Sequence, residues 1–277
     1  MTTAFVLGGG GHLGAHEVGM LKALVERRIR PDLIIGTSIG AINGAMVAAD
    51  PTPKAVDKLA EIWTGIQDTD VFGGSVYSRL QTLARTRTSV TSNAALKRLL
   101  TQHLTYDRIE DLPVPFQCVA ASIEQAQARY FDSGPLVPAV MASSAVPGLF
   151  PPVEIDGEHF LDGGIVDSIP LGRAVELGAT EVYVLQVGRV EQPLTPPPRP
   201  WEVALVAFEI ARRHRFAGDL DALPAHVTAH VLPTGAAVRY NDPSQLRYRD
   251  LSKVSSRIDR SYAATAAYLD DLGLGSA

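Results

Sequence analysis

Ser38 and Asp162 are the residues whose surroundings most suggest chemistry. Ser38 stands between Gly36 and Gly40 in LIIGTSIGAINGAMVAA, residues 33–49. There an apolar run gives way to a small-residue helical pattern. G-x-S-x-G between a strand and a helix has the form of a nucleophile elbow. Such a turn strains the serine backbone, so the neighbours two places away must be small for the chain to cross itself. It lifts the hydroxyl to the carboxyl end of a sheet, where the next helix N-terminus faces any negative charge that forms. A plain glycine-rich turn with an incidental serine would look the same. Asp162, followed by Gly163 and Gly164, stands where a hairpin signalled by Asp156-Gly157 ends. A carboxylate there can take the serine proton if burial lifts its pKa from about 3.9 toward neutrality. Asp-Gly-Gly is also ordinary turn chemistry, and Asp167 is the nearest rival for the role.

A second glycine cluster follows the first apolar run. Gly8 to Gly11, then His12, Leu13 and Gly14, come directly after Thr3 to Leu7. Gly9, Gly11 and Gly14 satisfy G-x-G-x-x-G, the dinucleotide fingerprint, but that fold wants an acid closing its second strand. Here Asp32 opens the second strand and Gly36-Thr37-Ser38 close it. No lysine follows the glycines, so a P-loop is excluded. An oxyanion hole remains, with the backbone N–H groups of Gly9, Gly10 and Gly11 converging on a developing O⁻. A tight turn without a ligand is the plainer alternative. His12 is expected to be a solvated surface residue, and His16 and Glu17 to face solvent from the helix that follows.

These residues need elements to hold them. Residues 3–7 read as a buried strand, and a helical period runs from Leu13 to about Arg28. A second strand then leads into the elbow and its helix, a βαβα start for a parallel sheet. Further helices are expected at 54–67, 137–144, about 171–177, 201–215 and 244–269. The helix beginning after Ser92 or Asn93 is expected to run through Leu104. Strands are expected at 115–123, 128–131, 152–155, 158–161, 181–187 and 226–232. The run Arg212 to Arg215 suits the negative end of the 201–215 helix. Between Val71 and Tyr106 there is no acidic residue, while Arg79, Arg85, Arg87, Lys97 and Arg98 alternate with apolar side chains. Such an insertion suits an active-site lid or a surface meeting anionic lipid; a solvated helical insertion has the same composition.

With 277 residues, 46% hydrophobic and 20% charged, the chain is expected to fold as one large α/β domain. Its net charge of −5 argues against nucleic acid as a bulk partner. The lone cysteine, Cys118, lies in an apolar run and reads as a buried, inert thiol. No basic leader or span-length apolar run is visible, so a cytoplasmic location with transient membrane-surface contact is the expectation. No Cys/His ligand cluster implies a metal, and no cofactor is expected. A Ser–acid–His triad would draw on His214, His226 or His230, none in a distinctive context. The elbow also comes very early for that fold, so a two-residue Ser–Asp arrangement is preferred.

Four stretches, in order, resemble the patatin-like phospholipase family: LGGGGHLGAHEVGML, GTSIGA, ASSAVPGLFPPV and DGGIVDSIP. The resemblance runs from about Ala4 to Pro170. It implies a three-layer α/β/α sandwich with a mainly parallel central sheet, and an acyl-ester hydrolase acting on lipid or phospholipid esters. It casts Ser38 as nucleophile, Asp162 as dyad base and Gly9, Gly10 and Gly11 as the oxyanion loop. Two positions depart from the family pattern. Leu13 replaces a basic residue usual before the last loop glycine, and Ser168 an asparagine frequent after the last motif. The first leaves open a catalytically silent lipid- or acyl-binding protein of the same fold.

Overall fold

The computed structural model describes residues 1–65, 92–187, 193–235 and 254–274. Strand β1 (Thr3–Leu7) shows why the sheet must be covered on both sides. Ala4 and Val6 point to one face and Phe5 and Leu7 to the other, and all four are fully buried. One face packs against α1 (Ala15–Glu26), α2 (Ile39–Ala49), α3 (Pro53–Gly65), α4 (Ala94–His103), α5 (Leu136–Ser143) and α8 (Val254–Asp271). The opposite face packs against α6 (Leu171–Glu176) and α7 (Pro200–Asp221), where Leu171, Ala174 and Phe216 meet Ala4, Val6 and Ile35. The result is the expected three-layer α/β/α sandwich.

The parallel strands are β2 (Leu33–Thr37), β3 (Phe116–Ser122), β7 (Glu181–Leu185) and β8 (Thr228–Val231), ordered β3-β2-β1-β7-β8. Three antiparallel strands join at β3: β4 (Gln127–Phe131) and the hairpin of β5 (Val153–Ile155) and β6 (Glu158–Asp162). The registers decide where the hairpin lies. Cys118 and Val119 pair with both β2 and β4, so those strands take opposite edges of β3. Ala120 to Ser122 pair with both β4 and β6, so β6 lies on the β2 edge, beyond the end of β2. β2 runs with β3 and β6 against it. Their carboxyl ends therefore meet head to head, Thr37 opposite Val119 and Asp162 opposite Ala120.

Helix α4 follows its N-cap Asn93, with the Ala94 N–H donating to Ser92 Oγ, and buries Leu96 and Leu100. It accounts for the carboxyl part of the 71–106 stretch; residues 71–91 of that expected lid lie outside the described residues, as do 244–253 of the expected last helix. Helix α7 corrects its expected end, because it continues past Arg215 to Asp221. Phe216 is buried one residue on and carries the helix forward. Arg212, Arg213 and Arg215 are thus inside the helix, where they pair sideways with Glu209 and Asp167.

Candidate active site

The elbow is built from close approaches. A Cβ on Gly36 would lie 2.4 Å from the Gly40 carbonyl oxygen, and one on Gly40 would lie 2.3 Å from that of Leu7. Between them Ser38 adopts φ +56°, ψ −121°, a conformation costing of order 1–3 kcal/mol for a non-glycine residue. The α5 end braces it from both sides. The Ser38 N–H donates to Ser143 Oγ at 3.0 Å, and Ser144 Oγ donates to the Ser38 carbonyl at 3.1 Å. Thr37 Oγ1 donates to the Asp167 carbonyl at 2.8 Å.

Asp162 arrives from the other strand end. Ser38 Oγ donates to Asp162 Oδ2 at 2.6 Å, and the Gly164 N–H donates to Asp162 Oδ1 at 2.8 Å. Both side chains are buried. Burial pushes the Asp162 pKa from 3.8 up to about 6, while the bonds from Ser38 and Gly164 hold it from rising further. The separation of 124 positions between the two is closed by β3, which aligns both strand ends.

Asp167 is engaged elsewhere. Its Oδ2 accepts from Tyr130 Oη at 2.5 Å and from Arg215 at 3.1 Å. Burial raises its pKa, against the pull of those two partners. The glycine loop lies beside the elbow, since a Cβ on Gly9 would sit 3.5 Å from Ser38 Cβ. Its amides are not equivalent. The Gly8 N–H donates to the Leu185 carbonyl at 3.0 Å and the Gly9 N–H to the Ser168 carbonyl at 2.9 Å. Neither proton faces an oxyanion while those bonds hold. Gly10 and Gly11 donate to no acceptor among the described residues.

His16 and Glu17 are fully buried and His12 nearly so, contrary to their expected exposure. The physical reason is that α1 lies between the sheet and α8, with apolar and polar faces both covered. Burial lowers the His16 pKa to about 4, with Arg257, Arg260 and His12 adding to the effect. Burial pushes the Glu17 carboxyl well above its ordinary range. Glu17 Oε2 accepts from Asn43 Nδ2 at 2.7 Å; the same amide donates to the Gly14 carbonyl, and Trp63 Nε1 donates to Asn43 Oδ1 at 3.0 Å. This network ties the end of the glycine loop to the helix carrying the elbow. His214 and His226 are exposed and His230 pairs with Glu181. Cys118 is buried, which pushes its thiol up.

Asp32, which a ribose would require at a strand end, instead accepts from the Thr3 N–H at the amino end of the sheet. Among the described residues no group of three or more His, Cys, Asp or Glu is placed to hold a metal ion. Among them, too, no helix is long and apolar enough to cross a membrane. The serines of α5 escaped the sequence reading of the site. Their signal was the pair Ser143-Ser144 before Pro147-Gly148, which registered only within a longer resembling stretch.

The buried Ser38–Asp162 pair thus stands at a strand-to-helix elbow within a three-layer α/β/α sandwich. The family model of patatin-like phospholipase matches residues 5–175, and the chain belongs to that family. It is 33% identical over 190 residues to lysophospholipase nte1 of Aspergillus terreus, covering 69% of this chain and 12% of that protein. Patatin-like phospholipase domain-containing protein ZK370.4 of Caenorhabditis elegans is 34% identical over 195 residues, 68% of this chain and 14% of that one. The chain thus spans a small part of the length of these relatives. VipD from Legionella pneumophila shares the fold, with a TM-score of 0.50, 16% identity, and coverage of 98% of this chain and 67% of its own.

Proposed function

We propose that the protein is a serine acyl-ester hydrolase acting on lipid or phospholipid esters. The observation that carries this reading is the 2.6 Å hydrogen bond from Ser38 Oγ to a buried Asp162 whose pKa lies near 6. Such a carboxylate is ionised at neutral pH yet basic enough to accept a proton in the transition state. As Ser38 Oγ attacks the ester carbonyl, Asp162 takes its proton. The tetrahedral oxyanion is held by the Gly10 and Gly11 amides and by the Ile39 N–H, which opens α2. Collapse expels the alcohol, which receives the proton from Asp162, and leaves an acyl-serine. Water then attacks the acyl group, Asp162 taking its proton and returning it to Ser38 as the acid departs.

Ile39, the residue after Ser38, also borders a small, partly open apolar hollow with Ile42, Met46, Trp63 and Leu100. The relatives named lysophospholipase direct the first substrate tests to lysolipids. A fluorophosphonate probe tests the nucleophile directly. Wild type should be labelled, Ser38→Ala should not, and Asp162→Asn should label far more slowly. A folded wild type that takes no label would favour the silent lipid-binding reading. Rates across phospholipids, lysolipids and short-chain esters would then define the substrate.

A further inference from the structure

Three consecutive residues at the carboxyl end of α5, Ser143, Ser144 and Ala145, hold both members of the dyad by their backbones. The Ser143 hydroxyl accepts from the Ser38 N–H, and the Ser144 hydroxyl donates to the Ser38 carbonyl. The third contact falls on the other side of the site, where the Asp162 N–H donates to the Ala145 carbonyl at 2.9 Å. Serine and aspartate come from strands that share no ladder, since β2 and β6 each pair with β3. The α5 end is therefore a second bridge between them, and it grips the two residues themselves. Its mounting is stiff. Leu136, Ala139, Val140 and Ala142 bury α5 in the core, each 1% exposed or less. Its last turn is closed by bonds from the Ser144 N–H to the Val140 carbonyl and from the Ala145 N–H to the Ala142 carbonyl.

The two hydroxyls do not carry equal weight. The Ser38 carbonyl also accepts from the Ala41 N–H at 2.9 Å, in the first turn of α2. Among the described residues the Ser38 N–H has Ser143 Oγ as its acceptor, and Ser143 is fully buried. A buried N–H that loses its acceptor pays the full cost of its desolvation unless the chain turns it toward another. At φ +56° Ser38 already holds a conformation that a serine keeps only under constraint. Without the Ser143 bond the peptide is free to rotate, and the rotation carries Ser38 Oγ off its line to Asp162 Oδ2. A misplacement of about 1 Å costs about 100-fold in rate. Resting on the hydrolase reading, we infer that Ser143 and Ser144 are positioning residues of the dyad. They lock Ser38 to the same segment that holds Asp162, and so set the separation of hydroxyl and carboxylate. Ser143 carries the larger part.

Rate and geometry are read separately. Ser143→Ala, Ser144→Ala and Leu24→Ala are compared with wild type under conditions where each is folded. Leu24, fully buried toward the far end of α1, controls for lost stability alone. On a soluble short-chain ester, Ser143→Ala should lower kcat about tenfold or more, with KM within about twofold of wild type. Ser144→Ala should lower kcat less, and Leu24→Ala should leave it unchanged. The Asp162 carboxyl is then titrated by NMR on aspartate-labelled protein, with no substrate present. The bond from Ser38 lowers its pKa, and no charged side chain among the described residues acts on it. Loosening that bond should move the midpoint above its wild-type value in Ser143→Ala but not in Leu24→Ala. If Ser143→Ala fails to fold, the same two readouts on Ser144→Ala decide. Wild-type kcat and midpoint in both serine variants overturn the inference, as does an equal loss of kcat in Leu24→Ala. A midpoint that rises in Ser143→Ala while wild type cleaves no ester removes the hydrolase reading and leaves the clamp standing.

Discussion

Asp162→Asn should make the protein more stable and nearly inactive at the same pH. The carboxylate is buried and titrates near 6 rather than 3.8. A displacement of that size corresponds to roughly 3 kcal/mol of folding free energy. The sign follows from its direction. The folded value lies above the unfolded one, so the penalty is absent below about 3.8, grows as pH rises through 6 and is complete above it. Asparagine carries no charge and therefore no such penalty. Its Oδ1 can keep the Gly164 N–H, but its amide would donate toward Ser38 Oγ, reversing the bond on which proton removal depends. Denaturant unfolding at pH 8 should show the variant more stable by up to about 3 kcal/mol, and the gain should vanish by about pH 4. Hydrolysis of a soluble ester should fall about 10²- to 10⁴-fold. A variant that keeps wild-type activity would remove Asp162 from the chemistry. One that loses activity and is also less stable at pH 8 would show that the ionised carboxylate is not under the strain derived for it.

In wild type, kcat/KM for a soluble ester should fall about tenfold per pH unit below about 6, because only ionised Asp162 accepts the serine proton; a profile flat down to pH 4.5 would contradict this. Ser38→Gly should be about 1 kcal/mol more stable than Ser38→Ala in chemical denaturation, since only glycine relieves the strain of φ +56°. Asn43→Ala strands the Trp63 N–H and the Glu17 carboxyl in the core and should cost about 2–4 kcal/mol, whereas Glu17→Gln, which keeps an acceptor oxygen for the Asn43 amide and carries no charge to bury, should cost less than half as much by the same measurement.

Much of the site was legible because its residues are locally constrained. Gly36 and Gly40 announce a crossing chain, and Asp156-Gly157 announces a hairpin whose far strand ends at Asp162. Local pattern cannot show which edge of β3 receives that hairpin, and it is this edge that brings Asp162 to Ser38. The loop glycines were legible as a group, but not that the Gly9 amide would meet the Ser168 carbonyl, a contact across 159 residues. Glu17 and His16 misled because charge and imidazole normally mean solvent; here α8 covers that face from the far end of the chain. The end of α7 misled similarly: four consecutive basic residues mimic a helix terminus, yet the three arginines among them pair with Glu209 and Asp167 mid-helix.

The meeting of β2 and β6 on one rail of backbone has a mechanical consequence. Ser38 is anchored in the interior of the sheet, its strand held by neighbours on both sides. Asp162, its hydrogen-bond partner, rides at the tip of a short ribbon that touches the sheet along three residues of β3. Sliding or peeling that ribbon would part the two side chains while the remaining strands kept their partners. The molecule thus has a natural joint between the sheet that makes it fold and the ribbon that completes the Ser38–Asp162 pair.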